Sequence, residues 1–296
     1  MSEIYRKKVI IALGHFDSVH LGHRTVIKLA VDTAKATGVI PAVFMFYGDL
    51  KGSIKKSNTR PVYSVEKRMD LIKNLGVNEF YLAPVNQEFL SYSKSEFLDL
   101  LNEKYDILGY VSGSDYRFGK NATGDVDFLR EYAKGKNQKV LTANDQTVDG
   151  KRLSTTLIKE YLIGGGVKTA NALLGENYSI TGSVIKGRKV GRNLGFPTVN
   201  VAIDNETLSL KSGVYKGLTT IDDKTYKAII NYGARPTYSL YEKLIEAHII
   251  DYNGDLYGKE ITLEFTDYLR DVIAFNSELD LKNQLTYDMQ RVKNDD

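Results

Sequence analysis

Three of the four histidines in this chain fall within nine residues, in the segment Gly14-His15-Phe16-Asp17-Ser18-Val19-His20-Leu21-Gly22-His23. An apolar run precedes the segment and a helical pattern follows it. His20 and His23 therefore stand at a helix N-terminus, where free backbone N–H groups attract phosphate. Two imidazoles there can donate hydrogen bonds to a nucleotide's phosphates and to the charge that grows as pyrophosphate leaves. Neither has to act as a base, because an attacking phosphate monoester is already anionic. The competing readings are a chance pair and a metal pair at i, i+3, and no third ligand is evident beside it. Gly14, Phe16 and Asp17 belong to the same phosphate-binding turn.

Two later segments carry related chemistry. Ser154, Thr155 and Thr156 place three hydroxyls at a helix start with Lys159 one turn inside, a second seat for phosphate or a plain N-cap. Gly113-Ser114-Asp115-Tyr116-Arg117-Phe118-Gly119-Lys120 has five residues between its glycines, so it is not a Walker A loop. It is either an aromatic and basic ligand loop or an ordinary surface turn.

Residues 182–200 are the most informative. Gly187 and Gly195 let the backbone approach phosphates, and Lys186, Arg188, Lys189 and Arg192 offset their charge. In Gly195-Phe196-Pro197-Thr198-Val199-Asn200, Thr198 and Asn200 present neutral oxygens on one strand face. Such oxygens suit a Mg²⁺ held mostly by ATP phosphates and water. Without them the stretch would read as a basic hairpin loop. Glu246, beside His248, is the candidate base for an alcohol. An acidic residue in an apolar strand is either solvated or a site group.

The elements that position these residues change character midway. In the first half, residues 9–13 read as a buried parallel strand. Val26, Ile27, Ala30, Val31 and Ala34 recur at helical spacing, and Gly38 stops the helix. Residues 39–46 complete a βαβ unit, and a strand at 106–112 and a helix at 125–133 continue the alternation. A parallel sheet with its ligand site at the strands' carboxyl ends follows. From about Tyr178 the pattern becomes strands and tight turns, at 178–185, 198–203, 214–221, 225–231, 245–252 and 260–265. Six strands in so short a stretch imply a closed barrel. Asn253–Gly254 reads as a type I′ hairpin between the last two, and Asp222–Asp223 as another short turn. Ser277 and Asp280 open a final helix with Leu281, Leu285 and Met289 on one face.

At 296 residues, 42% hydrophobic and 26% charged, the chain suits two soluble globular domains. Forty cationic against 37 anionic residues is too small an excess to argue for nucleic acid. With no cysteine, thiolate catalysis and disulfides are excluded. No apolar run approaches a membrane span, and a cytoplasmic protein is expected.

Taken together, these segments resemble the bifunctional bacterial riboflavin kinase/FMN adenylyltransferase (FAD synthetase) family across essentially the whole chain. Residues 14–23 are similar to its nucleotidyltransferase motif and 154–159 to its serine/threonine motif. Residues 195–200 are similar to its G-F-P-T-A-N, residues 231–237 to its N-x-G-x-R-P-T, and Asp255-Leu256-Tyr257-Gly258 is a further match. The resemblance implies an α/β parallel-sheet nucleotidyltransferase-like domain over 1–176 and a six-stranded antiparallel β-barrel with a C-terminal helix over 177–296. It implies riboflavin, FMN and ATP as substrates, with Mg²⁺ as cofactor and FMN and FAD as products, and neither nucleic acid nor membrane as partner. Thr198 and Asn200 would bind Mg-ATP with Gly187, Arg188 and Gly195, and Glu246 would deprotonate the ribityl hydroxyl. Asp115, Arg117, Phe118 and Arg270 would line flavin sites.

The departures lie in the first half. The family usually has G-N-F-D-G-V-H where this chain carries His15 and Ser18, and arginine where Lys159 stands. It has a proline- and histidine-containing segment in place of Phe46-Tyr47-Gly48-Asp49-Leu50. If position 18 needs positive φ, serine there restricts the loop. His15, bulkier than an amide, is expected to weaken triphosphate binding. The alternatives are a riboflavin kinase with a non-catalytic first half, a nucleotidyltransferase for another substrate, and a non-enzymatic flavin-binding regulator.

Overall fold

The computed structural model describes residues 6–48, 60–148, 150–187, 195–203, 207–233 and 244–294. By its contacts the chain divides into two units, Met1–Thr155 and Thr156–Asp296.

The first unit is α/β. Strands β1 (Lys8–Leu13), β2 (Ile40–Tyr47), β3 (Glu79–Pro84), β4 (Asp106–Gly113) and β5 (Lys139–Ala143) form one sheet in the order β3-β2-β1-β4-β5. Every pairing in it is parallel. Helices α1 (Leu21–Thr37), α2 (Val65–Lys73), α3 (Gln87–Ser91), α4 (Lys94–Lys104) and α5 (Val126–Lys134) alternate with the strands. The apolar stripe of α1, Val26, Ile27, Ala30, Val31 and Ala34, is buried, and Gly38 ends the helix at φ 69°. Only a residue tolerant of the left-handed region closes a helix that way. The strand order reverses between β1 and β4, so a crevice opens at their carboxyl ends. The short pair β6 (Thr147–Val148) and β7 (Lys151–Arg152) completes the unit.

The second unit contains α6 (Thr155–Gly164), whose first residue is the last of the first unit, α7 (Val167–Leu174) and the barrel. Strands β8 (Tyr178–Ile185), β9 (Val199–Ala202), β10 (Gly213–Ile221), β11 (Lys224–Gly233), β12 (Leu244–Ile249) and β13 (Glu260–Arg270) close in the order β10-β11-β12-β9-β8-β13. All their pairings are antiparallel. The closing helix α8 spans Glu278–Asn294 and buries Val292 against Val214, Ile229 and Ile250. Ser277 Oγ accepts from Asp280 N at 3.1 Å at its start. Among the described residues, no helix is long and apolar enough to cross a membrane.

One expectation fails here. Asn253–Gly254 does not join a hairpin: β12 pairs with β11 and β9, and β13 with β10 and β8. Neither residue has positive φ; the turn places Asp251 at 60° and Gly258 at 74° instead. Barrel closure overrides local turn propensity, because β12 and β13 are not neighbours in the closed order. A two-residue hairpin turn with both φ positive occurs at Asp222–Asp223, at 48° and 62°, between the paired Ile221 and Lys224.

Candidate functional sites

The segment after β1 is a strained, multiply latched loop. Phe16 and Val19 have φ of 46° and 45°. A β-branched residue in that region costs about 1–3 kcal/mol and persists only where its surroundings over-determine it. Arg24 Nε donates to the Val19 carbonyl at 3.0 Å, Arg68 donates to the His15 carbonyl at 3.4 Å, and Asp17 Oδ1 accepts from Val62 N at 2.7 Å. Asp17 thus ties the loop to residues 60–63. Gly14 is required by close approach, since a Cβ there would stand 2.6 Å from the Phe16 ring.

His20 caps α1, its Nδ1 accepting from His23 N at 3.1 Å. With Nδ1 an acceptor, the proton of the neutral ring sits on Nε2, which is free to donate to an anion. The two rings stack at 3.7 Å. Burial lowers the His20 pKa to about 4, with Asp17 opposing and Arg152 adding to the shift. His23 is held well below the usual range, first by burial and then by His20 and His15, and its Nδ1 is buried with no hydrogen-bond partner. Both imidazoles are therefore neutral N–H donors at pH 7. His15 stacks on Phe46 at 5.1 Å. The residue is exposed by its surface area, yet the protein packed around its ring lowers its pKa.

Ser18 corrects an expectation. Its φ is not positive, so serine does not strain the loop; the left-handed residues are its neighbours at 16 and 19. Ser18 is buried, and its hydroxyl lies 3.0 Å from the Thr155 hydroxyl. The histidine loop and the hydroxyl segment are thereby joined. Ser154 stands just before α6, with Thr156 and Lys159 further along that helix.

The loop after β4 is largely committed within the protein. Asp115 pairs with Arg152, which also reaches Asp145 at 3.3 Å, and Arg117 pairs with Asp125 at 3.0 Å. Phe118 is a core residue, its ring 5.4 Å from Phe97 and 5.6 Å from Tyr116. Arg152 was not singled out from sequence. Its position directly before the hydroxyl segment is the signal that could have found it.

In the barrel, strand register assembles a polar row. Asn200 on β9 lies opposite Glu246 on β12, and Glu246 lies opposite Asn231 on β11. Directly opposed residues share a face about 5 Å apart. Their chain neighbours Val201, Ile245, Ala247, Ile230 and Tyr232 are buried on the other face. Asn200 is itself buried, and its amide nitrogen would lie 2.0 Å from a Cβ at Gly187, so only glycine leaves it room. Gly195 turns at φ 86°, a left-handed value that suits glycine. Behind it, His248 Nδ1–H donates to the Pro197 carbonyl at 2.8 Å, and the Phe196 ring meets His248 edge-on at 5.5 Å. A carbonyl only accepts, so this bond fixes the His248 tautomer. Sequence placed His248 beside Glu246 without giving it this role.

A pocket of about 400 Å³ has Pro197, Thr198, Val199, Tyr252, Asn253 and Leu256 in its wall; Thr198 and Val199 directly precede Asn200 in the chain, and no member of the row itself lines it. The Asn253–Gly254 segment is thus pocket wall, and Gly254 is where the Tyr252 ring crosses the backbone. Thr198 and Asn200 supply hard, neutral oxygens, with Gly187 shaped around Asn200, a donor set that fits a magnesium ion carried by phosphates. Arg270 holds α8: its guanidinium makes bonds of 2.7–3.2 Å to Asp288, which is fully buried. Arg188, Lys189 and Arg192, and Ala234 to Thr237 of the later motif, lie outside the described residues.

Comparison with known proteins agrees with this division. A family model described as FAD synthetase matches residues 2–157, and one described as riboflavin kinase matches residues 174–295. A Bacillus subtilis protein named bifunctional riboflavin kinase/FMN adenylyltransferase is 32% identical over 96% of this chain and 91% of its own length. A Listeria monocytogenes protein of the same name is 32% identical over 95% and 90%. A solved Streptococcus pneumoniae structure titled a macrolide-efflux protein has a TM-score of 0.89 at 26% identity, covering 99% of this chain and 96% of that one.

Proposed function

The chain belongs to the bifunctional riboflavin kinase/FMN adenylyltransferase family, and from that premise we propose how its residues divide two reactions. The barrel phosphorylates riboflavin to FMN with ATP, and the α/β unit joins FMN to AMP, releasing pyrophosphate and forming FAD.

In the kinase step the terminal ribityl oxygen attacks the γ-phosphorus of ATP, and ADP leaves. Glu246 takes the hydroxyl proton as that bond forms, and Thr198 and Asn200 orient Mg·ATP. When bound, the magnesium supplies charge neutralisation on the phosphates. Phosphoryl transfer of this kind needs positioning and charge neutralisation and no covalent intermediate. The observation that carries the reading is the register Asn200–Glu246. It sets a carboxylate across from the metal-type amide on one barrel face, and Thr198, two residues before Asn200, walls a pocket.

In the adenylyl step an FMN phosphate oxygen attacks the α-phosphorus of ATP. The nucleophile is already ionised, so the site's task is to receive charge on the leaving pyrophosphate. Neutral His20 donates through Nε2–H, and His23 beside it has a buried ring nitrogen without a partner. Gly14, Phe16 and Asp17 shape the turn, and Ser154 and Thr155 add hydroxyls.

Glu246→Gln tests the assignment. An amide cannot take the ribityl proton, and loss of a general base costs about 10²–10⁴-fold. FMN formation from riboflavin should fall by that factor while FAD formation from supplied FMN stays at the wild-type rate. Near-normal riboflavin phosphorylation in the folded variant removes Glu246 from the role.

A further inference from the structure

We infer that Asn231 is a riboflavin-binding residue of the kinase site, its side-chain oxygen accepting a hydrogen bond from a ribityl hydroxyl. The inference rests on the reading of the Asn200–Glu246 face as that site.

Asn231 is the third member of the polar row, directly opposite Glu246 across the β11–β12 pair. Its Oδ1 is buried and receives no hydrogen bond. A buried acceptor left in that state is unfavourable, and folded proteins keep few of them. Among the described residues, its neighbours bring no donor to this oxygen. On the far side, Val214 of β10 stands opposite Asn231. Two positions back along β11 on the same face, Ile229 belongs to the apolar cluster under α8. Glu246 as a carboxylate is an acceptor only. The amide nitrogen can serve the carboxylate opposite, but the oxygen is an acceptor with no donor. That oxygen has a chemical reason if the missing donor arrives with the substrate.

Riboflavin supplies that donor. Its ribityl chain carries several hydroxyls in sequence. A terminal hydroxyl giving its proton to Glu246 leaves another within reach of a residue about 5 Å away across the strand pair. Asn231 then fixes the chain's orientation while Glu246 acts on its end. A site built to hydrogen-bond a substrate hydroxyl also discriminates strongly against analogues that lack it.

Asn231→Ala, Asn231→Ser and Asn231→Asp in the full-length chain test this. Riboflavin affinity is measured by quenching of flavin fluorescence, with KM for riboflavin and ATP measured separately, thermal unfolding of the barrel as the folding control and FMN-to-FAD conversion as the readout of the other unit. Alanine should weaken riboflavin binding about tenfold, with KM for ATP within twofold of wild type and FAD formation from FMN unchanged. Should alanine not fold, serine gives the same reading, because its hydroxyl is too short to reach the same position. Aspartate keeps an acceptor and should hold riboflavin affinity within about threefold. Its charge opposite Glu246 should also move the kinase pH profile upward, since a like charge makes the base harder to ionise. Unchanged riboflavin affinity in folded Asn231→Ala overturns the inference, as does equal weakening of riboflavin and ATP. Riboflavin binding is read without turnover, so this outcome stands apart from whether Glu246 is the base.

Discussion

Ser18 and His20 show what single side chains contribute to the adenylyl site. The Ser18 hydroxyl meets Thr155 at 3.0 Å in a buried setting, and a buried hydrogen bond of that kind is worth about 1 kcal/mol, or roughly fivefold. Ser18→Gly should therefore lower kcat/KM for ATP in the adenylyl step about fivefold and leave riboflavin phosphorylation unchanged. Ser18→Ala should do the same, because the loss belongs to the hydroxyl and not to backbone freedom. A gain of ATP affinity in Ser18→Gly would mean that the serine obstructs the loop. His20 carries a pH signature. Its pKa is about 4 folded against about 6.5 unfolded, so the unfolded chain binds its proton first as pH falls. The stabilising contribution is whole above about pH 6.5, declines through the interval, and is lost below about pH 4; it is on the order of 3 kcal/mol. An NMR titration of the substrate-free protein should show the His20 ring unchanged from pH 8 down to about 5.5. A midpoint near 6.5 would contradict the neutral-donor reading.

At the scale of elements, Gly187 and Asn200 are one device. A methyl group at 187 would sit 2.0 Å from the Asn200 amide nitrogen, so Gly187→Ala drives Asn200 out of the row that Glu246 completes. Overpacking of this sort costs about 1–3 kcal/mol. We expect riboflavin phosphorylation to fall at least tenfold in steady-state assays, with FAD formation from FMN intact. The elements themselves were legible because their periods differ. The alternating runs of β8 and β10 and the helical stripe of α1 match the structure to within a residue. The Asn253–Gly254 hairpin was not legible, because barrel closure is a long-range pairing that a dipeptide does not report. Nor was the Ser18–Thr155 bond, which joins positions 137 apart in sequence, or the row from Asn200 to Asn231, which exists only in register. His20, His23, Thr198, Asn200 and Glu246 were singled out from residue type and spacing. The bond of His248 to the Pro197 carbonyl was not.

For the whole molecule the central claim is that one chain carries two separable catalytic units. Helix α7 belongs with the barrel: Asn171 Nδ2 donates to the Phe265 carbonyl at 2.8 Å, its Oδ1 accepts from Tyr178 N at 2.7 Å, and Leu173 and Leu174 are buried. A fragment of residues 166–296 keeps these bonds, whereas one starting at 177 loses them. The most direct measurement incubates the full chain and the 166–296 fragment with riboflavin, ATP and Mg²⁺ and separates the flavins by chromatography. The full chain should yield FMN and then FAD, and the fragment FMN alone. A folded fragment that makes no FMN, or one that makes FAD, would contradict the division of labour proposed for the two units.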